Sequence, residues 1–142
     1  MKLEIKNYFG ETVELVPKVA LYSVKDFMGK ELPGLAVLLE TTDGYPYADL
    51  TVSFGEFIGL KNCAYVDTNN CDFASQILEQ GVARETGFHK TSGVCPYPLW
   101  EFSEDFLRAA GEEAYQKYSD AYDAYMQEDD FSEEDEEGMV QC

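Results

Sequence analysis

Residues 34 to 54 constrain the fold of this chain more than any other stretch. Gly34 to Thr42, GLAVLLETT, is a continuous apolar run of the kind that fills a central strand. DGYP follows, where Gly44 tolerates positive φ and Pro46 stops a helix. Tyr47 to Phe54, YADLTVSF, then alternates: Tyr47, Asp49, Thr51 and Ser53 share one face, and Ala48, Leu50, Val52 and Phe54 the other. Two strand patterns across a short turn predict an antiparallel hairpin, so the chain must be built on an antiparallel sheet.

The flanking segments extend that sheet. Leu3 and Ile5 alternate weakly over residues 2 to 6. In TVELVPKVALYSV (residues 12 to 24) Val13 and Leu15, then Val19 and Leu21, point one way on either side of Pro17, which predicts an edge strand or a bulge there. MGKELPG reads as a connector, and Cys63 to Asp67 as a short strand. A helix is expected from about Asp72 to Gln80, with Phe73, Ile77 and Leu78 on its apolar side, Asn70 or Cys71 as N-cap and Gly81 as the stop. Val82 to Lys90 and Pro96 to Phe102 are extended candidates around the turn Thr91-Ser92-Gly93.

The last element is a helix. Ser103 is a suitable N-cap, with Glu104 and Asp105 in the first turn. At about 100° per residue, Phe106, Leu107, Ala110, Ala114, Tyr118, Ala121, Ala124 and Tyr125 fall within about 120° of arc. Tyr115 and Tyr122 lie on its border, and Asp105, Glu112, Glu113, Asp120 and Asp123 lie opposite. Gly111 is a weak point, costing about 1 kcal/mol against Ala. The expected fold class is α+β: one antiparallel sheet of four to six strands, a short helix at 72–80, and a long amphipathic helix at about 103–128 packed on one face. At 142 residues one domain suffices; it is placed at 1–128. Residues 129–142, low in complexity and acidic, read as a disordered tail.

Charge is distributed unevenly. Glu101 to Cys142 holds fifteen acids against two bases, a net of −13, and residues 1–100 hold thirteen against eight, a net of −5. Such a field repels nucleic acid and anionic membrane and attracts basic protein surfaces. If residues 101 to 137 were all helical they would span about 54 Å, about one acid per 3.6 Å, against about 3.4 Å between phosphates of a DNA strand. The expected partner is therefore a basic protein surface, a nuclease or its nucleic-acid channel, engaged by Glu112, Glu113, Asp120 and Asp123 with Tyr115 and Tyr122 as anchors. Direct binding of nucleic acid or membrane is not expected. The N-terminus lacks an apolar leader core and no stretch reaches the roughly 18 apolar residues of a membrane span, which predicts a cytoplasmic protein.

Other clusters are weaker. Asp67, Thr68, Asn69 and Asn70 follow a predicted strand, where ligands often sit, but short Asx side chains also close turns for local reasons. Tyr97 and Trp100, in the Pro-rich segment CPYPLWEF, form either an exposed aromatic ridge or a buried strand entry. Asp67, Asn69, Asn70, Tyr97 and Trp100 thus make a secondary candidate surface. Asp67, His89 and Cys95 supply the residue types of a small hydrolase but no motif fixes their geometry. Four scattered cysteines and one histidine do not resemble a zinc site. No catalytic residue, metal or cofactor is expected.

AYVDTNN (Ala64 to Asn70) and GVARETGFHKTSGVCPYPLWEF (Gly81 to Phe102) carry a resemblance over roughly residues 35–102. The matching residues are Asp67 to Asn70, Gly81, Gly87, Ser92-Gly93, Cys95 and Tyr97-Pro98. They are similar to a domain-of-unknown-function family of small proteins encoded on plasmids, conjugative elements and phages of gut Gram-positive bacteria. The resemblance implies a mobile-element setting, in which small acidic proteins often antagonise host restriction or CRISPR nucleases. That setting makes an acidic inhibitor acting by nucleic-acid mimicry the leading expectation. An accessory protein of plasmid or phage maintenance is the alternative, and a small hydrolase the third.

Overall fold

The computed structural model describes residues 1–138, with side chains described through Gln127. Four strands, β1 (Leu3–Lys6), β2 (Thr12–Lys25), β3 (Glu31–Thr41) and β4 (Pro46–Asp49), form an antiparallel sheet in the order β1-β2-β3-β4. Four more, β5 (Thr51–Val52), β6 (Cys63–Val66), β7 (Ala83–Ser92) and β8 (Cys95–Phe102), form a second in the order β5-β6-β8-β7. Helix α1 (Ala74–Glu79) links β6 to β7, and α2 (Glu104–Gly111) and α3 (Glu113–Gly138) close the described chain. The fold is α+β, as expected, but with two sheets in place of one.

The second sheet arises inside the segment predicted as a single strand. Residues 47–54 bend at Leu50, which is fully buried. Its N–H donates to the Val37 carbonyl at 3.1 Å, and its own carbonyl accepts the Asp67 N–H at 2.9 Å. One residue thus bonds to both sheets. The Thr51 hydroxyl accepts the Val37 N–H at 3.0 Å, so the corner leaves that buried donor paired. Pro17 is explained by register. Leu3 pairs with Leu15, so β1 has ended where Pro17 pairs with Leu39. The nitrogen that cannot donate lies on the side β1 has vacated.

The core lies between the inner faces of the sheets. Leu15, Val19, Leu35, Val37 and Leu39 meet Ala64, Val66, Trp100 and Phe102, and the helices add Ile77, Phe106, Leu107, Tyr115 and Tyr118. Helix α1 also guards the outer edge of β1. The Gln76 side chain accepts the Lys6 N–H at 2.7 Å and donates to the Lys6 carbonyl at 3.1 Å. Gln80 does the same for Glu4, at 3.2 and 2.7 Å. Two amides four apart on a helix take the place of a neighbouring strand and block edge pairing.

Two helix expectations need correction. The N-cap of α1 is Phe73, not Asn70 or Cys71, and it makes no side-chain cap. Asp67 to Cys71 instead closes its own turn, with the Cys71 N–H on the Asp67 carbonyl. The helix predicted as continuous over 103–128 starts at the Ser103 cap but breaks at Glu112, where φ is 44° and ψ −108°. The cause is packing. A Cβ on Gly111 would stand 2.5 Å from the Val19 Cβ, so only glycine lets α2 settle this close to β2. The chain must then turn sharply to lay α3 across the end of β3. The tail expected at 129–142 lies outside the residues whose side chains are described.

Candidate binding surface

Helix α3 presents the acidic candidates, and its tyrosines explain how it is held. Tyr115 is fully buried, and its hydroxyl donates to Asn62 Oδ1 at 2.8 Å. The Tyr118 hydroxyl accepts the Asn62 N–H at 2.9 Å. Tyr122 donates to the Gly59 carbonyl at 2.9 Å and stacks on Phe57. Tyr125 lies against Phe57 at 4.8 Å between ring centroids and donates to the Asp26 carboxylate at 2.7 Å. Spacings of three and four thus place all four on one stripe docked over the 57–62 loop and the β2–β3 turn. Tyr115, expected at the border as a partner anchor, belongs to the core. Tyr122 is half-buried and engaged within the chain.

The opposite face is left to the acids. Glu112, Glu113, Asp120 and Asp123 are all exposed. Asp123 pairs with Lys61 at 2.9 Å, and Asp120 accepts from the Gln116 amide at 2.8 Å. Arg108 bonds Glu104 at 2.8 Å and Gln116 at 2.8 Å, and lies over the Tyr115 ring. Lys117 is the one base in the sequence of α3, which holds eleven acids. The carboxyl of Asp26, where the Tyr125 hydroxyl bonds it, is held below its ordinary value, with backbone N–H groups of Lys30 and Met28 adding to the effect.

The secondary surface divides. Trp100 is buried between the sheets, so it forms no exposed ridge; Tyr97 is half-buried and packs edge-on to Phe54. The Asp67 carboxylate accepts from the Asn70 N–H at 3.3 Å and side-chain amide at 2.8 Å, while Asn69 and Asn70 are exposed. These are the bonds of a turn. His89 faces Pro98 across the β7–β8 ladder, whereas Cys95 faces Ser92, three positions on, or about 10 Å along the strand. Register therefore separates the histidine from the thiol. Burial pushes the thiols of Cys63 and Cys71 up to about 11, which keeps both protonated.

What the sequence reading passed over is the apolar decoration of the turns. Tyr8 and Phe9, between β1 and β2, and Phe27 and Met28, between β2 and β3, are among the most exposed side chains of the described residues. A readable signal existed, since apolar pairs precede Gly10 and Gly29, where connectors are ordinarily polar.

Among the described residues, no group of three or more His, Cys, Asp or Glu could hold a metal ion, and no helix is long and apolar enough to cross a membrane. No curated protein and no solved structure matches the chain. Residues 22–123 match the family model described as Domain of unknown function (DUF4313), and with well over half its length covered the chain belongs to that family.

Proposed function

We propose that the chain is a non-catalytic inhibitor that lays its anionic helix in the basic, nucleic-acid-binding channel of a host defence enzyme. One observation carries the reading. The tyrosine stripe of α3 is used internally, while Glu112, Glu113, Asp120 and Asp123 all face solvent with a single lysine among them. The helix continues into a segment with eight acids and no base between 128 and 138. A helix face docked on a rigid sheet presents those four carboxylates to Arg and Lys groups without having to fold first, so less ordering entropy opposes binding. The mobile-element setting implied by the family resemblance supplies a reason to block a nuclease.

The test is charge reversal at Glu112, Glu113, Asp120 and Asp123, each to Lys. All four positions are exposed, and the Asp123–Lys61 pair is a surface pair worth about 0–1 kcal/mol, so circular dichroism and the melting temperature should change little. Establishment of a plasmid carrying the gene is then scored in a host that is proficient in restriction or CRISPR interference. The parent chain should raise plasmid recovery and the fourfold variant should not. Binding to a purified target should weaken steeply with salt and compete with nucleic acid. Full protection by the fourfold variant would sink the mimicry reading.

A further inference from the structure

Three turns of the first sheet share one backbone design. In Asn7–Glu11 the Gly10 N–H donates to the Asn7 carbonyl at 2.9 Å, and the Asn7 side chain accepts from the N–H groups of Phe9 and Glu11, each at 2.9 Å. Asp26–Lys30 repeats this bond for bond. Gly29 donates to the Asp26 carbonyl at 3.0 Å, and Asp26 Oδ1 accepts from Met28 and Lys30, each at 2.9 Å. In Thr41–Tyr45, Gly44 donates to the Thr41 carbonyl at 3.0 Å, and the Thr41 hydroxyl accepts the Tyr45 N–H at 3.1 Å. The glycine in the fourth place has φ of 79°, 85° and 89° respectively.

The third turn is an internal control. Its two tip residues are Thr42 and Asp43, so this backbone folds with polar tips. The other two carry Tyr8-Phe9 and Phe27-Met28, exposed by 92, 82, 93 and 78%. Folding does not ask for apolar groups there, and leaving them in water is unfavourable. The two apolar tips lie at opposite ends of β2, about 45 Å apart for its 14 residues. Only the Phe27-Met28 tip adjoins α3. The Tyr125 hydroxyl ties Asp26 to the helix at 2.7 Å, and Lys30 lies over the Tyr125 ring. A groove lined by Lys25, Asp26, Phe27, Glu56, Phe57 and Tyr125 runs between them.

We propose that Phe27 and Met28 are the apolar anchor of the binding surface whose electrostatic half is α3. This rests on the function proposed above and specifies the partner: a lysine- or arginine-rich protein surface with an apolar cleft beside the basic groups. Charge selects this occupant. Asp123 of α3 lies two residues from the Tyr125 that ties the tip to the helix; the acids of the helix require a cationic partner, while two large apolar side chains require a dry pocket to enter. A lipid interface would also accept them, but the net charge of −18 and the adjoining acid run disfavour a membrane with anionic headgroups. The Tyr125–Asp26 bond keeps the anchor in a set position relative to the acids.

Two peptide probes of equal positive charge test this on the full chain: an amphipathic Lys/Leu helix and an oligolysine. Titration calorimetry should show the Lys/Leu peptide binding at least about tenfold tighter, a modest share of what burying Phe and Met can give. Phe27→Ser/Met28→Ser should remove that preference and leave oligolysine binding unchanged. Tyr8→Ser/Phe9→Ser, the same turn at the far end, should keep the preference. A tip variant that retains the preference, or a parent with none, overturns the anchor. A parent that binds the Lys/Leu peptide but not oligolysine would instead refute the acidic reading. Binding of the parent to phosphatidylcholine vesicles, abolished in the Phe27/Met28 variant, would assign the tip to lipid and also overturn the proposal.

Discussion

Asn62 joins three elements, and replacing it separates backbone strain from lost hydrogen bonding. It sits at φ 67°, a left-handed conformation that Asn tolerates and Ala does not. Its carbonyl accepts the Phe102 N–H at 2.8 Å, its N–H donates to Tyr118, and its side-chain oxygen accepts from Tyr115. Asn62→Gly keeps the backbone geometry but strands the hydroxyl of a fully buried tyrosine, which costs about 1–3 kcal/mol. Asn62→Ala strands the same hydroxyl and adds about 1–2 kcal/mol of left-handed strain, for a total of about 2–5 kcal/mol. Tyr115→Phe leaves only a half-buried amide oxygen that water can reach, so it should cost about 1 kcal/mol. The double variant Asn62→Gly/Tyr115→Phe has no stranded hydroxyl, so it should be about 1 kcal/mol more stable than the sum of the single losses requires. Urea unfolding followed by circular dichroism measures all four, with unchanged slopes showing that the unfolded state is not involved. Additive losses would mean that the 2.8 Å bond contributes nothing. Equal losses for Gly and Ala would mean that the left-handed backbone is not strained.

Two further outcomes follow from the helices. Gly111→Ala, favoured by about 1 kcal/mol from helix propensity alone, should instead destabilise by about 1–3 kcal/mol because its Cβ meets Val19, whereas Glu112→Gly should stabilise by relieving the positive φ; thermal melts give both signs. The Asp26 carboxyl should titrate below its ordinary value by NMR and move back toward it in Tyr125→Phe. Because its folded value is depressed, any stability from this contact is present above about pH 4 and is lost as the pH falls through the folded value, and an unchanged midpoint in the variant would refute the assignment.

Strand identity was legible because period and turn chemistry agreed. Residues 34–42 run apolar and 47–50 alternate as their burial requires, Thr51 beyond them is buried at the corner against the pattern, and the Ser103 cap starts α2 where its pattern begins. Sheet count was not legible. The bend at Leu50 leaves the alternation of Ala48, Leu50, Val52 unbroken, because both sheets want an inward residue at the corner. The break at Glu112 was hidden for a similar reason: Gly111 reads as a mild helix cost, and only the approach of Val19 turns it into a requirement.

The candidate surface divides along the same line. Which residues of α3 face water follows from angular arithmetic, so the exposure of Glu113, Asp120 and Asp123 was legible; the burial of Tyr115 was not, because a residue at the edge of the arc is buried or exposed according to what lies beneath it, here Asn62 at the head of β6. Trp100 alternates with Leu99 on a strand whose two faces are both covered, and no one-sided pattern could have said so. The apolar tips were missed for a different reason. A periodicity search looks within elements, whereas Phe27 and Met28 lie between them. Their meaning comes from comparing three turns of one design, Asn7–Glu11, Asp26–Lys30 and Thr41–Tyr45, of which only the last follows the ordinary preference for polar tips. A departure from local preference with no packing to account for it is where a demand beyond folding is most legible, and the anchor proposed for Phe27 and Met28 rests on that departure.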